Sequence, residues 1–481
     1  MSGAAEADRY DLLVIGAGQG GAPLAAAAAR AGRRVALVER RHVGGTCVNE
    51  GCSPTKTVIA SARIVHLARR AREYGVHGGD TAPLHVDLRR VRERKQRIVD
   101  RFRDGGEQSL AEAGVEVIFG HARFTGPHTV RVTAAPATAR ARDSELPRVL
   151  TTDRIVINTG QRPFVPPVPG LDRTRFLTST SILELVERPE HLIVMGGGYV
   201  GVEFAQCWRR FGSRVTIIER GSQLLSHEDA DIAEAVQDIL REDGLDLLLG
   251  AAVTGVEQTG AGIRVRWRPA HDDGAGELLT GTHLLVATGR RANTDDLDLD
   301  AAGIATDASG FVTVDDGLRT SLEHVFAIGD VKGGPAFTHV SYDDFRIVRD
   351  RLLHDRRSGI AGRVIPYTVF TDPQLGAVGM TEHEARAAGH TVRVARMPMS
   401  QVARALEVDE TRGVMKAVVD AHSGLILGAR VLGLEGGEIA TLFQLAMMGG
   451  LQYTALRDGM FPHPTLGEAL NNLFTGMDAE G

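Results

Sequence analysis

Two stretches of the chain carry the same succession of apolar and polar positions. Residues 11–39 read DLLVIGAGQGGAPLAAAAARAGRRVALVE. Four apolar residues (12–15) lead to Gly16, Gly18 and Gly21, then an Ala-rich run, then a second apolar stretch (35–38) closed by Glu39. Residues 191–219 repeat this as HLIVMGGGYVGVEFAQCWRRFGSRVTIIE, with Gly196, Gly198, Gly201 and a closing Glu219. Each copy predicts a strand, a tight turn, a helix and a second strand, and the spacing from first glycine to acid is the same in both. Residues 154–160 (RIVINTG) and 284–289 (LLVATG) also match each other, and each predicts a strand running into Thr-Gly. A further strand is expected over 324–328, ending at Gly329-Asp330. Helical spacing of apolar residues marks 55–74. Past residue 364 there is no glycine triplet: strands over 415–419 and 425–432 alternate with helical stretches such as 438–447.

The chemistry of the repeat is specific. The first glycine permits the turn, the second lets the backbone approach a pyrophosphate, and the third lets helix pack on strand. The helix N-terminus then offers free N–H groups to phosphates, and the closing carboxylate accepts ribose hydroxyls. Two ordinary strand–helix turns are the bland alternative, and the matched spacing opposes it. The chain is therefore expected to bind two dinucleotides.

Composition narrows the class. The 481 residues allow two to four domains with a large core. Glycine is abundant (57), which suits tight turns and close ligand contacts. The net charge is −6, the chain reads as having no basic tract interleaved with aromatics, and nucleic acid is not an expected partner. No apolar run has membrane-spanning length, and the N-terminus lacks the pattern of a leader, so a cytoplasmic protein with no membrane partner is expected. Three cysteines (Cys47, Cys52, Cys207) exclude a disulfide-stapled scaffold.

Residues 44–56 read GGTCVNEGCSPTK. Pro54 suits a first helical turn, which puts Cys52 near a helix N-terminus, where the dipole favours a thiolate. A metal site needs more ligands than this pair, and no metal is expected. A pair of buried structural thiols does not need the surrounding glycines. A redox-active disulfide fits both the spacing and the neighbouring dinucleotide unit, and suggests an electron relay from nicotinamide to flavin to disulfide. Cys207, on the helix after the second triplet, reads as a small buried residue.

The GGTCVNEGCSPTK segment, the doubled dinucleotide units, the ATG strand end, Gly329-Asp330 and a C-terminal His463-Pro464-Thr465 together resemble the class I pyridine nucleotide–disulfide oxidoreductases. That family includes glutathione reductase, dihydrolipoamide dehydrogenase and mercuric reductase. The resemblance implies an α/β fold with two Rossmann-type domains, for FAD (1–158 and 291–355) and NAD(P)H (159–290), and a C-terminal α+β dimerisation domain (364–481). It implies Cys47 as the interchange thiol and Cys52 as the thiol at the flavin. Lys56 and Glu203 become an ion pair near the flavin, and Tyr199 a lid over the nicotinamide pocket. FAD contacts fall to Gly16, Gly18, Gly21, Glu39, Gly45, Thr46, Lys56, Thr159, Gly160, Gly329 and Asp330. NAD(P)H contacts fall to Gly196, Gly198, Gly201, Glu219, Arg220 and Gly289.

Near the C-terminus, His463 lies between two prolines, with Glu468 five residues on. A carboxylate on one imidazole nitrogen leaves the other to move a proton, which disulfide reduction needs. Beside the cysteine motif this pair reads as catalytic, and the resemblance places it at the partner subunit's cysteines in a homodimer. Glu219 favours NADH over NADPH, although Arg220 follows it. His339, in FTHVSYDD, is a further candidate near the flavin. FTHVSYDDFRIVRD and VARALEVDETRGVMKAVVD look most like the bacterial branch holding reactive-chlorine-resistance and mercuric-reductase-like flavoproteins. The expected acceptor is a small disulfide. The alternatives are an oxidised sulfur species such as hypothiocyanous acid, Hg(II) or Cu(II), a dihydrolipoamide dehydrogenase-type role in a larger complex, and a flavin-binding sensor with negligible turnover.

Overall fold

The computed structural model describes residues 8–77, 84–134, 147–271 and 276–479. The N-terminal stretch read for a leader lies largely outside them. Internal contacts divide the chain into two units. The first holds Met1–Thr57, Arg92–Phe164 and Arg290–Arg363; the second holds Val58–Val91, Val165–Gly289 and Val364–Gly481.

The first unit is built on a seven-stranded sheet. Glu116–Phe119, Val35–Glu39, Asp8–Ile15 and Arg148–Ile157 lie side by side in parallel. The strand Arg148–Ile157 then divides its edge. Its first half pairs with the antiparallel hairpin Thr129–Thr133/His121–Gly126, and its last residues pair with Val325–Ala327 in parallel. Leu13, Val14, Leu37, Ile155 and Ile157 are buried, as strands covered on both faces must be. The predicted helix after the first glycines is Gly21–Arg30.

Asn158 fastens this unit at its centre. Its Oδ1 accepts the Gly21 N–H at 2.8 Å, and its Nδ2 donates to the Ile328 carbonyl at 3.0 Å. One buried side chain thus joins the start of a helix to the end of a strand more than 300 residues away in sequence.

The second unit carries the repeat on a four-stranded parallel sheet, Asp246–Leu248, Arg214–Ile218, His191–Met195 and His283–Val286. A three-stranded antiparallel sheet, Ala251–Thr259, Gly262–Pro269 and Glu277–Gly281, accompanies it. The C-terminal region forms a five-stranded antiparallel sheet: Pro366–Val369, Gln374–Gly379, Ile426–Gly433, Val414–Asp420 and Val392–Pro398. The helices Gly436–Met448 and Ala469–Ala479 place Phe443 and Phe474 in its core.

The structure corrects several expectations. The strands expected to end in Thr-Gly stop at Ile157 and Val286, and Thr159-Gly160 and Thr288-Gly289 form the turns beyond. The segment after residue 364 is a pair of strands folded about Asp372-Pro373, because proline cannot donate to a ladder. The helix expected over 55–74 is Cys52–Arg70 followed by a 3₁₀ turn, Ala71–Tyr74. Gly75 at φ 72° ends it. The two hairpins were not anticipated. Nor was the helix Leu88–Glu112, a basic tract with Phe102 exposed that the reading of the chain passed over. No helix among the described residues is long and apolar enough to cross a membrane.

Asn158→Leu keeps the bulk at the centre of the first unit but strands a buried N–H and a buried carbonyl. The expected cost is roughly 2–5 kcal/mol, seen by calorimetry as a fall of several degrees in the first unit's unfolding midpoint. An unchanged midpoint would contradict the fastening role.

Candidate active site

The two glycine turns are alike in backbone detail. Gly16 has φ 103° and Gly196 has φ 110°, a region that favours glycine. A Cβ on Gly16 would meet the Asn158 carbonyl, and one on Gly196 the Ala287 carbonyl, each just past the closing strand of its own unit. A Cβ on Gly21 would meet the Gly16 carbonyl, and one on Gly201 the Gly196 carbonyl. The closing acids are matched too. Glu39 accepts N–H groups from Ala17 (2.9 Å) and Arg41 (2.8 Å). Glu219 accepts them from Gly197 (2.6 Å) and Gly221 (2.7 Å). Arg220 beside Glu219 is exposed. The middle glycines differ: a Cβ on Gly18 would lie 2.9 Å from Asn158 Oδ1, whereas one on Gly198 would meet nothing.

In the first unit a cleft opens beside this turn, lined by Gly16, Glu39, His121, Thr159, Asn293 and Asp296. Thr159 and Asn293 bind each other's backbone, Oγ1 to carbonyl at 2.9 Å and Nδ2 to carbonyl at 2.8 Å. Gly160 and Gly329 adopt φ 68° and 70°. The Gly329 N–H donates to Asp344 at 2.8 Å, and Asp344 also takes Arg363 Nη1 at 2.7 Å and is fully buried. Burial pushes the Asp330 carboxyl above its ordinary range, against the nearby charges of Arg290 and Lys332. A turn with no room for a side chain, a ribose-binding acid and a cleft at the strand ends fit an FAD adenosine and pyrophosphate.

The cysteine segment is tied to the same turn. Gly45, at φ 61°, lies so close to Gly18 that its Cβ would fall 2.8 Å from the Gly18 Cα. Thr46 and Cys47 follow in a short helix, Gly45–Asn49, and Cys52 is the first residue of Cys52–Arg70, as the sequence implied. Asn49 knots the loop. Its Nδ2 donates to the Val43 and Gly45 carbonyls at 3.0 and 2.9 Å, and its Oδ1 takes Arg103 Nε and Nη2 at 2.9 and 2.8 Å.

Cys47 and Cys52 stand as a dithiol whose side chains are hydrogen-bonded to each other. That hydrogen bond, then burial, then the negative charge of Cys52 hold the Cys47 thiol far above its ordinary range. The Thr338 hydroxyl and the Lys56 charge oppose this. Thr338 Oγ1 also lies 3.3 Å from Cys52 Sγ, so one hydroxyl serves both sulfurs. Cys47 accordingly keeps its proton at neutral pH and needs a base before it can attack. Cys207 is buried, and burial raises its pKa, as its inert reading requires.

In the second unit His463 is exposed in a non-helical segment. Its Nδ1 lies 2.8 and 3.0 Å from the two oxygens of Glu468, which leaves Nε2 facing outward. Tyr199 opens the helix Tyr199–Arg210 and is part-exposed. Glu203, one turn on, is buried and accepts the Phe370 N–H at 2.8 Å. His339 stacks on Phe337 with ring centroids 5.4 Å apart. The residue before it, Thr338, is the one that meets the thiols.

The structure thus groups Gly16, Glu39 and Thr159 at one cleft, packs Gly18, Gly21 and Gly45 about the same turn, and brings Cys47 and Cys52 to Thr338, with the Lys56 charge acting on Cys47. Gly196, Gly201, Glu219 and Gly289 belong to the second turn, and His463 pairs with Glu468. Asn158, Asn49, Arg103, Asn293, Thr338 and Asp344 escaped the sequence reading. Asn158 has Ala287 as its counterpart in the second copy, so the repeat gave no signal for it. Among the described residues no group of three or more His, Cys, Asp or Glu converges as a metal site.

Comparison with known proteins agrees with this geometry. Residues 10–344 match the model of the pyridine nucleotide-disulphide oxidoreductases, and residues 365–474 match the dimerisation domain of that family. The chain is 38% identical over 473 residues to an Escherichia coli (strain K12) protein described as probable pyridine nucleotide-disulfide oxidoreductase RclA, covering 97% of this chain and 99% of the relative. It is 35% identical over 464 residues to a mercuric reductase of Lysinibacillus sphaericus, covering 96% and 82%. A solved structure titled as the Cu(II) complex of the HOCl-induced flavoprotein disulfide reductase RclA from Escherichia coli superposes with TM-score 0.86 at 38% identity, covering 97% and 99%. The chain belongs to the pyridine nucleotide-disulphide oxidoreductase family and is an FAD- and NAD(P)H-dependent flavoprotein oxidoreductase with a redox-active cysteine pair.

Proposed function

We propose that the enzyme reduces a small disulfide at Cys47, in the cytoplasm, as a homodimer in which His463 of the partner subunit serves each dithiol. The observation that carries this reading is the dithiol itself: a Cys47 that keeps its proton, held against Cys52 and the Thr338 hydroxyl. The bound FAD supplies two electrons to the Cys47–Cys52 disulfide, which it receives from NAD(P)H.

The chain's own residues do the rest. Gly16, Gly18, Gly21, Glu39, Gly45, Thr46, Thr159, Gly160, Gly329 and Asp330 hold the flavin nucleotide, with Lys56 beside it. Gly196, Gly198, Gly201, Glu219, Arg220 and Gly289 hold the nicotinamide nucleotide under Tyr199. The partner's His463, oriented by Glu468, takes the Cys47 proton. Cys47 Sγ then bonds to one substrate sulfur as the substrate S–S bond breaks, and the imidazolium protonates the departing thiolate. The Cys52 thiolate next attacks Cys47 Sγ, restores the disulfide and expels the second half of the substrate as a thiolate, which takes its proton from water.

NADH is the proposed donor. Glu219 is built into its turn by the same two-amide pattern as Glu39, and Glu39 belongs to the unit whose ribose carries no 2′-phosphate. The proposed domain limits remain 1–158 with 291–355, 159–290, and 364–481. The names of two relatives bring in the metal ions Hg(II) and Cu(II), and an oxidised sulfur species is the other alternative acceptor. Reoxidation of the NADH-reduced holoenzyme by a panel of these tests the choice. Fast reaction with a disulfide supports the proposal, and reaction with metals alone overturns it.

Cys47→Ser is expected to abolish disulfide turnover while NADH still bleaches the flavin; stopped-flow absorbance separates the two half-reactions, and retained turnover would contradict the scheme. His463→Gln is expected to slow dithiol reoxidation about 10²–10⁴-fold with flavin reduction unchanged. Equal loss in both halves would deny it the proton-transfer role. Glu219→Gln is expected to lower the NADH-to-NADPH ratio of kcat/KM about tenfold, the scale of one charged hydrogen bond, and steady-state kinetics with both nucleotides will report it.

A further inference from the structure

Two helices begin at the sulfur pair. Cys52 opens the helix Cys52–Arg70, and Thr338 opens the helix Thr338–Leu353. Their first side chains meet, with Thr338 Oγ1 3.3 Å from Cys52 Sγ. The first turn of a helix leaves backbone N–H groups without intrahelical partners, and its dipole favours negative charge. Both helix starts therefore act on Cys52 in the same sense. Cys47 opens no helix; it is the third residue of the short helix Gly45–Asn49. The titratable groups that act on it are Cys52, which opposes its ionisation, and Lys56, which favours it.

The Thr338 hydroxyl is shared between the two sulfurs. It lies against Cys52 Sγ, and its hydrogen bond to Cys47 favours the Cys47 thiolate. A hydroxyl has one proton to donate, and the O–H bond turns to suit its partner. It can support negative charge on Cys52 or on Cys47, but not on both at once. Turning the O–H bond moves that support from one sulfur to the other without displacing a heavy atom.

We propose that the Thr338 hydroxyl is a switching donor: it supports the charge on Cys52 while the dithiol waits, and turns to Cys47 when that sulfur gives up its proton to attack the acceptor. The switch rests on the reading of Cys47 as the attacking sulfur. It leaves the proton count unchanged, since Cys47 passes its proton to the base and Thr338 keeps its own.

The test is anaerobic alkylation of the NADH-reduced holoenzyme by iodoacetamide across pH, with peptide mass analysis reporting Cys47 and Cys52 separately. The thiolate, not the thiol, is the reactive form. Thr338→Val keeps the shape of the side chain without its hydroxyl, and Thr338→Ser keeps the hydroxyl. In Thr338→Val the pH midpoints of both sulfurs should move up. The Cys47 rate at fixed pH should fall about tenfold or more, the scale of one hydrogen bond to a charged group. Thr338→Ser should react as wild type. In a Cys52→Ala background Thr338→Val should still slow Cys47, because the hydroxyl then has only that sulfur to serve. A shift at Cys52 alone, no shift at all, or an equal shift in Thr338→Val and Thr338→Ser overturns the switch. The reading of Cys47 fails separately: enzyme alkylated at Cys47 that still reduces a disulfide at full rate would refute it, whatever the Thr338 variants do.

Discussion

Two glycines in contact set the geometry on which the rest depends. Gly18 belongs to the first dinucleotide turn and Gly45 to the cysteine loop, and there is no room for a side chain between them. A cofactor seated on that turn and the loop that carries Cys47 share one point of the backbone. Gly16, Gly44 and Gly45 all have positive φ. Asn49 then closes the loop from within, through two carbonyls and one guanidinium, so the spacing of the two sulfurs is set by hydrogen bonds rather than by flexible chain.

Electrostatics at the pair follows from that closure. A thiol pressed against a second sulfur holds its proton, and the Thr338 hydroxyl and Lys56 moderate the effect without reversing it. The proton must then be moved by a group outside the loop, and the exposed His463, with one nitrogen committed to Glu468, has the other available. In the proposed scheme the division of labour is chemical: the loop stores electrons and the imidazole handles protons.

Much of this was legible in the amino-acid order, because backbone constraints write themselves as glycine and proline at fixed spacing. The two turns, both acids, the cysteine pair and His463 with Glu468 all stood out for that reason. What escaped were side chains that act across long intervals. Asn158 reaches Gly21 and Ile328, Arg103 reaches Asn49, and Thr338 reaches Cys52; none has a local pattern to betray it. The helix Leu88–Glu112 was hidden differently, since its charges outnumber the few apolar positions that would show a helical period.

The middle glycines of the two turns give the last distinction. At Gly18 the space a side chain would take is already walled by Asn158, so that turn is a finished socket. At Gly198 nothing stands nearby, and the turn opens to solvent. The first suits a prosthetic group that stays for the life of the protein. The second suits a visitor that docks, gives up its electrons and departs in every cycle. The same ancestral strand–turn–helix has been set to two residence times, and the difference lies in what surrounds one hydrogen atom.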